Sequence, residues 1–556
     1  MLPRMLAVRF VAVFSLLSLS PAASAQTCAK TFGPMGPEIR PAETLLGDQV
    51  SSRVARGPNG WVVAWSDTQD VYARRFDLDL RPTSPEFVVD TFFNQDAQDE
   101  PAIAFGSTGN FLVAWTDHHG YDGSGLGIMA RIYDSNGTSV TSEFVVNSTT
   151  ASSQFHPSVA PTPSGGWVIG WTGDSDGNAY IRILSTNGVF LSGDVAVNTY
   201  RPGSQRDVSV AVNPSSVIFA TFVDFSSHGG VGTGSNLYAR MFSSTGTPLQ
   251  TQEFLVPTAP SNGDQLNPFV AADGLGRFLV VWEDQLADGS GSGIVERVFD
   301  HNGVPFLPET LVNTTLGGDQ TTPAIAVDQI GRAIVTWTDF SAGAASPAIR
   351  ARRYNGQANP FGPDFVANEF PPIGTISAVP VMDFSGTDIV LGYQGPGAQG
   401  NGVDVYVRQY KSTSGPHVYC TAKVNSQGCT PTIGFAGDPS ATSGAPFLIT
   451  GTNIINQKLG LMFYGYDSSF TPFQGSTICV KPPLRRMPGQ NSGGSVSGND
   501  CSGTLSTDFN VRIRSGSDSL LVPGATISTR WYYRDPHDAA GYGTGLTDAL
   551  RFAICP

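Results

Sequence analysis

One short strand pattern recurs seven times and constrains the fold more than any other feature of this sequence. In its clearest copy, NFLVAWTD at residues 110–117, successive residues alternate between two faces with the period of two expected of a β-strand. The anchor aromatic residues of the seven copies are Trp65, Trp115, Trp171, Phe222, Trp282, Trp337 and Tyr393. They are separated by 50, 56, 51, 60, 55 and 56 residues, a period typical of β-propellers, in which one repeat forms one blade.

Three further segments recur in phase with the anchor strand. A short apolar strand precedes it, as in PAIAF at 101–105, and an A-R-x-aromatic strand follows it, as in MARIY at 129–133. A fourth strand, such as EFVVN at 143–147, ends the repeat, and Asn-Gly turns such as Asn136-Gly137 suit the positive φ of a hairpin. Four strands per repeat predict an all-β fold with a seven-bladed propeller.

The seventh repeat lacks its fourth strand, because the chain runs from Tyr410 into a cysteine-rich region. Residues 43–46 (ETLL) match the fourth strand of another repeat, ETLV at 309–312. We therefore expect an N-terminal strand near 43–46 to complete blade seven and to leave no open sheet edge.

The repeats resemble a group of secreted bacterial proteins with W-x-D and A-R-x-F segments that are predicted to be β-propellers. That resemblance covers roughly residues 43–413 and implies no catalytic residue. Residues 419–556 do not repeat, and they resemble a cysteine-containing C-terminal module of diverse secreted bacterial proteins, which implies export. The predicted domains are a signal peptide (1–25), the propeller (26–416) and a β-sandwich-like C-terminal domain (417–556).

The first residues carry the features of a secretory signal. A basic start, the apolar run FVAVFSLLSLS and the Ala23-Ser24-Ala25 site predict cleavage near Gln26, and no later apolar stretch is long enough to span a membrane. In an exported protein, six cysteines predict disulfides with 15 possible pairings. We expect Cys28 to pair with one of the C-terminal five, which are Cys420, Cys429, Cys479, Cys501 and Cys555.

Charge and motifs exclude several functions. The net charge of −14 argues against nucleic acid as a partner, because phosphates require basic contacts. The sequence contains no G-x-S-x-G elbow, H-E-x-x-H motif or Walker loop. Scattered carboxylates could still form a glycosidase site, since the spacing nominates no pair.

Three polar residues recur in nearly every repeat. An aspartate lies two residues after most anchors, as Asp117 does, and a glutamine such as Gln98 lies three residues before the first strand. The third strand carries one arginine per repeat, such as Arg131. Because a ligand site normally breaks symmetry, we interpret the aspartates and glutamines as partners of loop backbone and the arginines as inter-blade hydrogen bonders.

Two metal sites are conceivable. Asp174, Asp176 and Asn178 offer oxygens at alternating positions, as calcium loops do, although Ser185 at the twelfth position is no bidentate carboxylate. Four histidines fall on the same predicted loop face and could bind a transition metal with Asp117. They are His118, His119, His156 and His228.

These features favour a secreted, non-enzymatic propeller that binds an extracellular protein or polysaccharide. One alternative is an extracellular glycan hydrolase or lyase with an unrecognised active site. Another is a structural surface or matrix component. The sequence leaves the ligand, the oligomeric state and the role of the C-terminal domain open.

Overall fold

A computed structural model describes residues 31–43, 47–67, 69–91, 96–173, 177–226, 234–260, 262–369, 372, 378–382, 387–397, 402–413 and 415–556. The predicted signal peptide and Cys28 lie outside these residues. The described chain is all-β apart from one short helix, and its first part forms seven four-stranded antiparallel sheets. No helix within the described ranges has the length and apolarity needed to cross a bilayer.

Each sheet is built from consecutive strands, except that the seventh takes one strand from the N-terminus. The first sheet contains β2 (Val50–Gly57), β3 (Gly60–Ser66), β4 (Val71–Phe76) and β5 (Phe87–Val88). The second contains β6 (Gln98–Phe105), β7 (Phe111–Asp117), β8 (Gly127–Tyr133) and β9 (Phe144–Val145). The third contains β10 (Gln154–Pro161), β11 (Trp167–Gly173), β12 (Ala179–Leu184) and β13 (Val195–Ala196).

The next three sheets repeat this order. The fourth contains β14 (Gln205–Val212), β15 (Ile218–Asp224), β16 (Asn236–Phe242) and β17 (Phe254–Leu255). The fifth contains β18 (Gln265–Ala272), β19 (Phe278–Asp284), β20 (Gly293–Phe299) and β21 (Thr310–Leu311). The sixth contains β22 (Gln320–Val327), β23 (Ala333–Asp339), β24 (Ala348–Tyr354) and β25 (Phe365–Val366). The seventh contains β26 (Val379–Met382), β27 (Asp388–Pro396), β28 (Val403–Thr413) and β1 (Thr31–Pro34).

Apolar side chains hold neighbouring sheets together. Trp115 of the second sheet is buried in one cluster with Val62 and Ala64 of the first, so this anchor aromatic packs between blades. The last sheet also contacts the first, because a Cβ at Gly392 would lie 2.9 Å from the Cγ2 atom of Val54. The repeated sheets therefore form a β-propeller, and the predicted repeat pattern is confirmed at this level.

The closing strand lies earlier than predicted. β1 pairs with β28, with Pro34 opposite Tyr410, and Ile39 forms a further bridge with Val407. Within the described residues, the N-terminal segment that adds to the seventh sheet is therefore Thr31–Pro34 together with Ile39, and of the predicted strand 43–46 only residue 43 is described.

Two glutamates that start similar segments explain this correction. Glu38, not Glu43, is the acidic residue that begins the fourth-strand segment of the seventh blade. It accepts hydrogen bonds from the backbone N–H of Glu369 and from Arg408. Asp194 plays the same part in the third sheet, accepting from the Ser148 N–H. Glu43 instead forms an ion pair with Arg74 of the first sheet at 2.5 Å.

The C-terminal region contains a six-stranded sheet, a three-stranded sheet and a small hairpin. Its elements are β29 (His417–Tyr419), β30 (Thr432–Ala436), β31 (Leu448–Ile454), β32 (Leu459–Gly465), β33 (Pro472–Phe473), β34 (Ser476–Thr477), β35 (Arg485–Arg486), β36 (Gln490–Asn491), β37 (Gly503–Asp508), α1 (Phe509–Arg514), β38 (Thr526–Arg534) and β39 (Thr544–Ala553). One core cluster, which includes Ile449, Phe509 and Trp531, joins both larger sheets and the helix.

Two disulfides fix this region. They join Cys420 to Cys479 and Cys429 to Cys501. Cys555 is also disulfide-bonded. The pairing of Cys28 with one of the C-terminal cysteines stays a prediction, because Cys28 lies outside the described residues.

Candidate functional site

The repeated glutamines and aspartates bind each other within single blades. The Gln98 side-chain N–H donates to Asp117 at 3.1 Å, and Gln265 donates to Asp284 at 3.0 Å. Asp117 also accepts from the backbone N–H of Gly120, at the start of the following loop. The structure thus confirms that these residues satisfy polar groups of their own blade, as expected from their repetition.

The repeated arginines connect neighbouring blades. Arg131 of the second sheet donates to the Val89 carbonyl of the first at 2.9 Å, and Arg352 of the sixth donates to the Val312 carbonyl of the fifth at 2.6 Å. Their predicted role as inter-blade hydrogen bonders is confirmed, and this role explains why one occurs in each repeat.

The calcium prediction is not resolved by the described residues. Asp174 and Asp176 lie outside them, while Asn178 is buried and its amide oxygen accepts from Asn198 at 2.6 Å. The corresponding Asp122 of the second sheet accepts from Asn147 at 2.7 Å. Within the described ranges, no group of three or more His, Cys, Asp and Glu side chains could hold a metal ion.

The predicted histidine cluster divides into separate pairs. His118 lies 3.1 Å from Asp99 and His119 lies 2.7 Å from Asp96. His156 has different carboxylate partners, and His228 is outside the described residues. The structure therefore does not bring His118, His119 and His156 together around one metal.

A cavity of about 360 Å³ lies on the propeller axis and is the candidate functional site. First strands of all seven sheets contribute residues to its wall. Six of these strands contain a bulge near their start. At each bulge one residue has a φ between 49° and 57°, and its side chain lines the cavity. These axial residues are Ser51, Glu100, His156, Asp207, Asn267 and Thr322.

The backbone of the axial ring repeats, whereas its side chains do not. A left-handed φ is uncommon for any residue except glycine, and such residues concentrate at functional sites. In four blades a proline follows the axial residue, and proline is tolerated at a bulge because no ladder N–H is required there. These prolines are Pro101, Pro157, Pro268 and Pro323.

A second layer of polar residues holds the axial ring from behind. Thr172, near the end of strand β11 in the third blade, accepts a hydrogen bond from the Asp207 backbone N–H of the fourth blade at 3.2 Å. Glu283 similarly accepts from the Thr322 N–H of the next blade at 3.4 Å and from the Asn267 side chain at 3.0 Å. The strained backbone positions are therefore supported from the preceding blade.

A charged triad occupies one side of the cavity. His156 Nε2 donates to Glu100 Oε1 at 2.7 Å, and Nδ1 donates to Asp207 Oδ1 at 3.3 Å. The other oxygen of Glu100 accepts from the Thr116 hydroxyl at 2.9 Å and from the His156 backbone N–H at 3.0 Å. Glu100 therefore fixes both the side chain and the backbone of His156.

The triad sets the charges in the cavity. Burial opposes a charge on His156, but hydrogen bonds to Asp207 and Glu100 raise the pKa of the imidazole to about 10. Burial likewise acts to raise the pKa of Glu100, yet the hydrogen bond from His156 holds that pKa below its usual value. At neutral pH His156 is therefore a cation between two carboxylates, and it cannot accept a proton as a general base.

The remaining wall supplies neutral donors and acceptors and one more cation. Arg53 lines the cavity, and burial lowers the pKa of its guanidinium while Glu100 opposes this change. Asn267, Thr322 and Ser51 contribute an amide and two hydroxyl groups. The cavity wall thus combines neutral hydrogen-bonding groups with two cationic side chains, Arg53 and His156, and two carboxylates, Glu100 and Asp207.

The sequence contained a signal for this ring that the repeat analysis missed. Each axial residue lies two positions after the repeated glutamine, as Glu100 follows Gln98. The residue type changes from blade to blade, so the position does not stand out as a repeat. A polar residue in six of the seven copies, just before an apolar strand, is the recognisable feature.

No family model and no curated protein matches the chain. Among solved structures, it is similar to a protein of unknown function from Dyadobacter fermentans, with 10% identity, a TM-score of 0.42 and coverage of 69% of this chain and 99% of that one. It is also similar to the GH93 α-L-arabinofuranosidase of Fusarium graminearum, with 11% identity, a TM-score of 0.39 and coverage of 55% and 91%. A third similar structure is the WD40 domain of Toxoplasma gondii coronin, with 11% identity, a TM-score of 0.43 and coverage of 70% and 87%. Likenesses this distant identify no substrate and no activity for this chain.

Proposed function

We propose that this chain is an exported, non-enzymatic propeller of seven blades that binds an extracellular polysaccharide or protein in its axial cavity. The observation that carries the proposal is the axial ring, in which six different polar side chains occupy one repeated, strained backbone position around a single cavity. Strain of about 1–3 kcal/mol per residue persists only where the surrounding structure holds it, and it concentrates at ligand sites.

Seven blades are supported by the seven sheets and by the contact between the last sheet and the first. The β-sandwich-like C-terminal domain is supported by the core that its two larger sheets share. Export is supported by the two disulfides, because such bonds persist in oxidising compartments.

The charges of the cavity favour binding over proton transfer. His156 and Glu100 are held in their ionised forms by each other, so neither exchanges a proton readily near neutral pH. Paired charges and fixed amide and hydroxyl groups suit recognition of a hydroxylated or peptide-like ligand.

A glycan array probed with purified protein tests this function. We expect the wild type to retain a polysaccharide or oligosaccharide and His156→Gln to lose it, because the substitution removes the cation that orders both carboxylates. His119→Gln is the matched control, since His119 also pairs with a carboxylate but does not line the cavity. If the wild type and both variants retained the same ligands equally, the axial site would be contradicted. If the array contained no ligand, the same three proteins would be tested against extracellular proteins.

One observation favours the alternative of glycan hydrolysis. Glu283 lies behind the cavity wall, where it accepts from Asn267 and Thr322, and burial raises its pKa, whereas the hydrogen bond from His156 helps to lower that of Glu100 in the wall; carboxyl groups with diverging pKa values are typical of glycosidases. A hydrolysis screen that detects released reducing ends distinguishes the two functions. Activity lost in Glu283→Gln would establish the enzyme and overturn the binding proposal.

A further inference from the structure

A second concave site lies in the C-terminal region, far along the chain from the axial ring. It is a groove of about 350 Å³ on the six-stranded sheet. Strands β32 and β38 contribute Leu461, Phe463 and Tyr532 to its wall, while Phe473 and Leu484 contribute from the adjoining hairpin and loop. A cavity of this size with a mainly apolar lining is typical of small-molecule sites.

Two arginines at this groove have no partner within the described residues. Arg486 and Arg534 both line the groove and are exposed, and neither forms an ion pair or side-chain hydrogen bond there. Their neighbour Arg485 behaves differently, because it pairs with Asp518 at 3.5 Å and does not line the groove. The chain has 46 acidic against 32 basic residues, so two unpaired arginines beside one apolar surface are unexpected from composition.

The wall next to these arginines is held in place. The backbone carbonyl of Gln474 accepts from the buried Lys423 at 2.7 Å, and Lys423 forms an ion pair with Asp538 at 2.5 Å. Gln474 has a φ of 49°, a left-handed conformation that is rare outside glycine. Its side-chain oxygen accepts from Thr544 at 3.1 Å, which leaves the amide N–H groups as donors at the groove.

We propose that this groove binds a small amphipathic anion, namely a carboxylate attached to an aliphatic or aromatic body. The apolar wall would exclude the body from water. The planar guanidinium groups of Arg486 and Arg534 match a carboxylate, with Gln474 as a further donor. This proposal is independent of the axial site, because the two share no residue.

Calorimetric titration of the intact, disulfide-bonded protein with decanoate tests the proposal. We expect saturable binding to the wild type and at least about tenfold weaker binding to the double variant Arg486→Gln/Arg534→Gln, because both charge-assisted hydrogen bonds are lost. The matched control is Arg485→Gln, which removes one positive charge next to Arg486 on the same strand but outside the groove, and it should bind like the wild type. Thermal unfolding of all three proteins verifies that they fold equally.

Two further probes separate charge from hydrophobic attraction. Decyltrimethylammonium has the same tail with a cationic head, and butyrate has the same head with a short tail; both should bind at least about tenfold more weakly than decanoate. The proposal is overturned if decanoate does not bind, if the cationic probe binds equally well, or if the double variant binds like the wild type. It is also overturned if a peptide with an apolar C-terminus occupies the groove and decanoate cannot displace it.

Discussion

Two rings of polar residues surround the propeller axis, and they differ in what is repeated. In the loop ring, formed by the Gln–Asp pairs such as Gln98–Asp117, both the backbone and the side chains repeat; each pair is bonded within its blade, and several of the glutamines also accept from the preceding blade, as Gln320 does from Asn313. In the axial ring the left-handed backbone repeats, but the side chains are Ser, Glu, His, Asp, Asn and Thr. A position at which both side chain and backbone repeat in every blade indicates a structural role. A position at which the backbone repeats but the side chain varies indicates a ligand site.

The two rings should therefore respond differently to substitution. Substitutions in the repeated network should reduce stability without affecting a ligand of the cavity, because they remove bonds inside or between blades. Substitutions in the axial ring should affect the ligand and have smaller effects on stability, because those side chains face a water-accessible cavity.

The largest loss of stability is expected for a substitution at Glu38, which we assign as the acidic residue that begins the fourth-strand segment of blade seven. Glu38→Gln removes the charge partner of Arg408, a side chain that is buried, and breaking a buried ion pair costs about 3–5 kcal/mol. Because Glu369 lies 3.7 Å from the same guanidinium, we expect the lower end, about 3 kcal/mol, in urea unfolding.

Glu43→Gln is the matched control for the closing strand. Glu43 is 47% exposed and forms a surface ion pair with Arg74, so the loss of stability should stay within about 1 kcal/mol. If Glu43→Gln destabilised the protein more than Glu38→Gln, the assignment of Glu38 to the acidic position of blade seven would be wrong.

The second effect concerns Asn313 in the repeated network. Its side chain is buried, accepts from the Ile294 N–H at 2.8 Å and donates to Gln320 at 2.7 Å. Asn313→Ala leaves several buried groups without partners and should cost about 2 kcal/mol in urea unfolding. Asn147, which makes the same bonds in the second blade, should respond equally to Asn147→Ala; a clear difference would show that the network is not equivalent between blades.

A third, smaller effect depends on pH and tests the axial ring. The folded pKa of His156 lies near 10, above its ordinary value of 6.5. The stability contributed by its charge is therefore complete below pH 6.5 and is lost as the pH rises to 10. Because the His156 side chain is 47% exposed and its charge is screened by water, we expect a total loss of stability of only about 1 kcal/mol.

Urea unfolding across this pH range, with His156→Gln as comparison, measures that loss. The stability difference between wild type and variant should shrink steadily above pH 6.5. A difference that stays constant up to pH 10 would mean that Glu100 and Asp207 do not hold the imidazole charged.

The repeated parts of the molecule could be predicted from sequence, and the varied parts could not. Trp115, Asp117 and Arg131 recur in phase, so repetition alone indicated strands, blade contacts and loop bonds. The closing strand was misplaced because Glu38 and Glu43 both begin plausible fourth strands, and only the pairing of Ile39 with Val407 decides between them. The axial ring was missed because its residue type changes from blade to blade, so that only the polar character and the left-handed backbone φ repeat.

The smallest effect isolates backbone strain from ligand recognition. Thr322 is β-branched and holds a φ of 49°, which disfavours threonine, whereas asparagine tolerates this region and already occupies the equivalent position as Asn267 in the preceding blade. Thr322→Asn should therefore stabilise the protein by about 0.5 kcal/mol in thermal unfolding, since the relief of backbone strain should outweigh the loss of the weak 3.3 Å bond to Thr338. Thr321→Asn, one residue earlier and outside the left-handed region, should bring no such gain. If both substitutions changed stability alike, strain at the bulge would not be what distinguishes the axial ring, and the ring would have to be defined by its side chains alone.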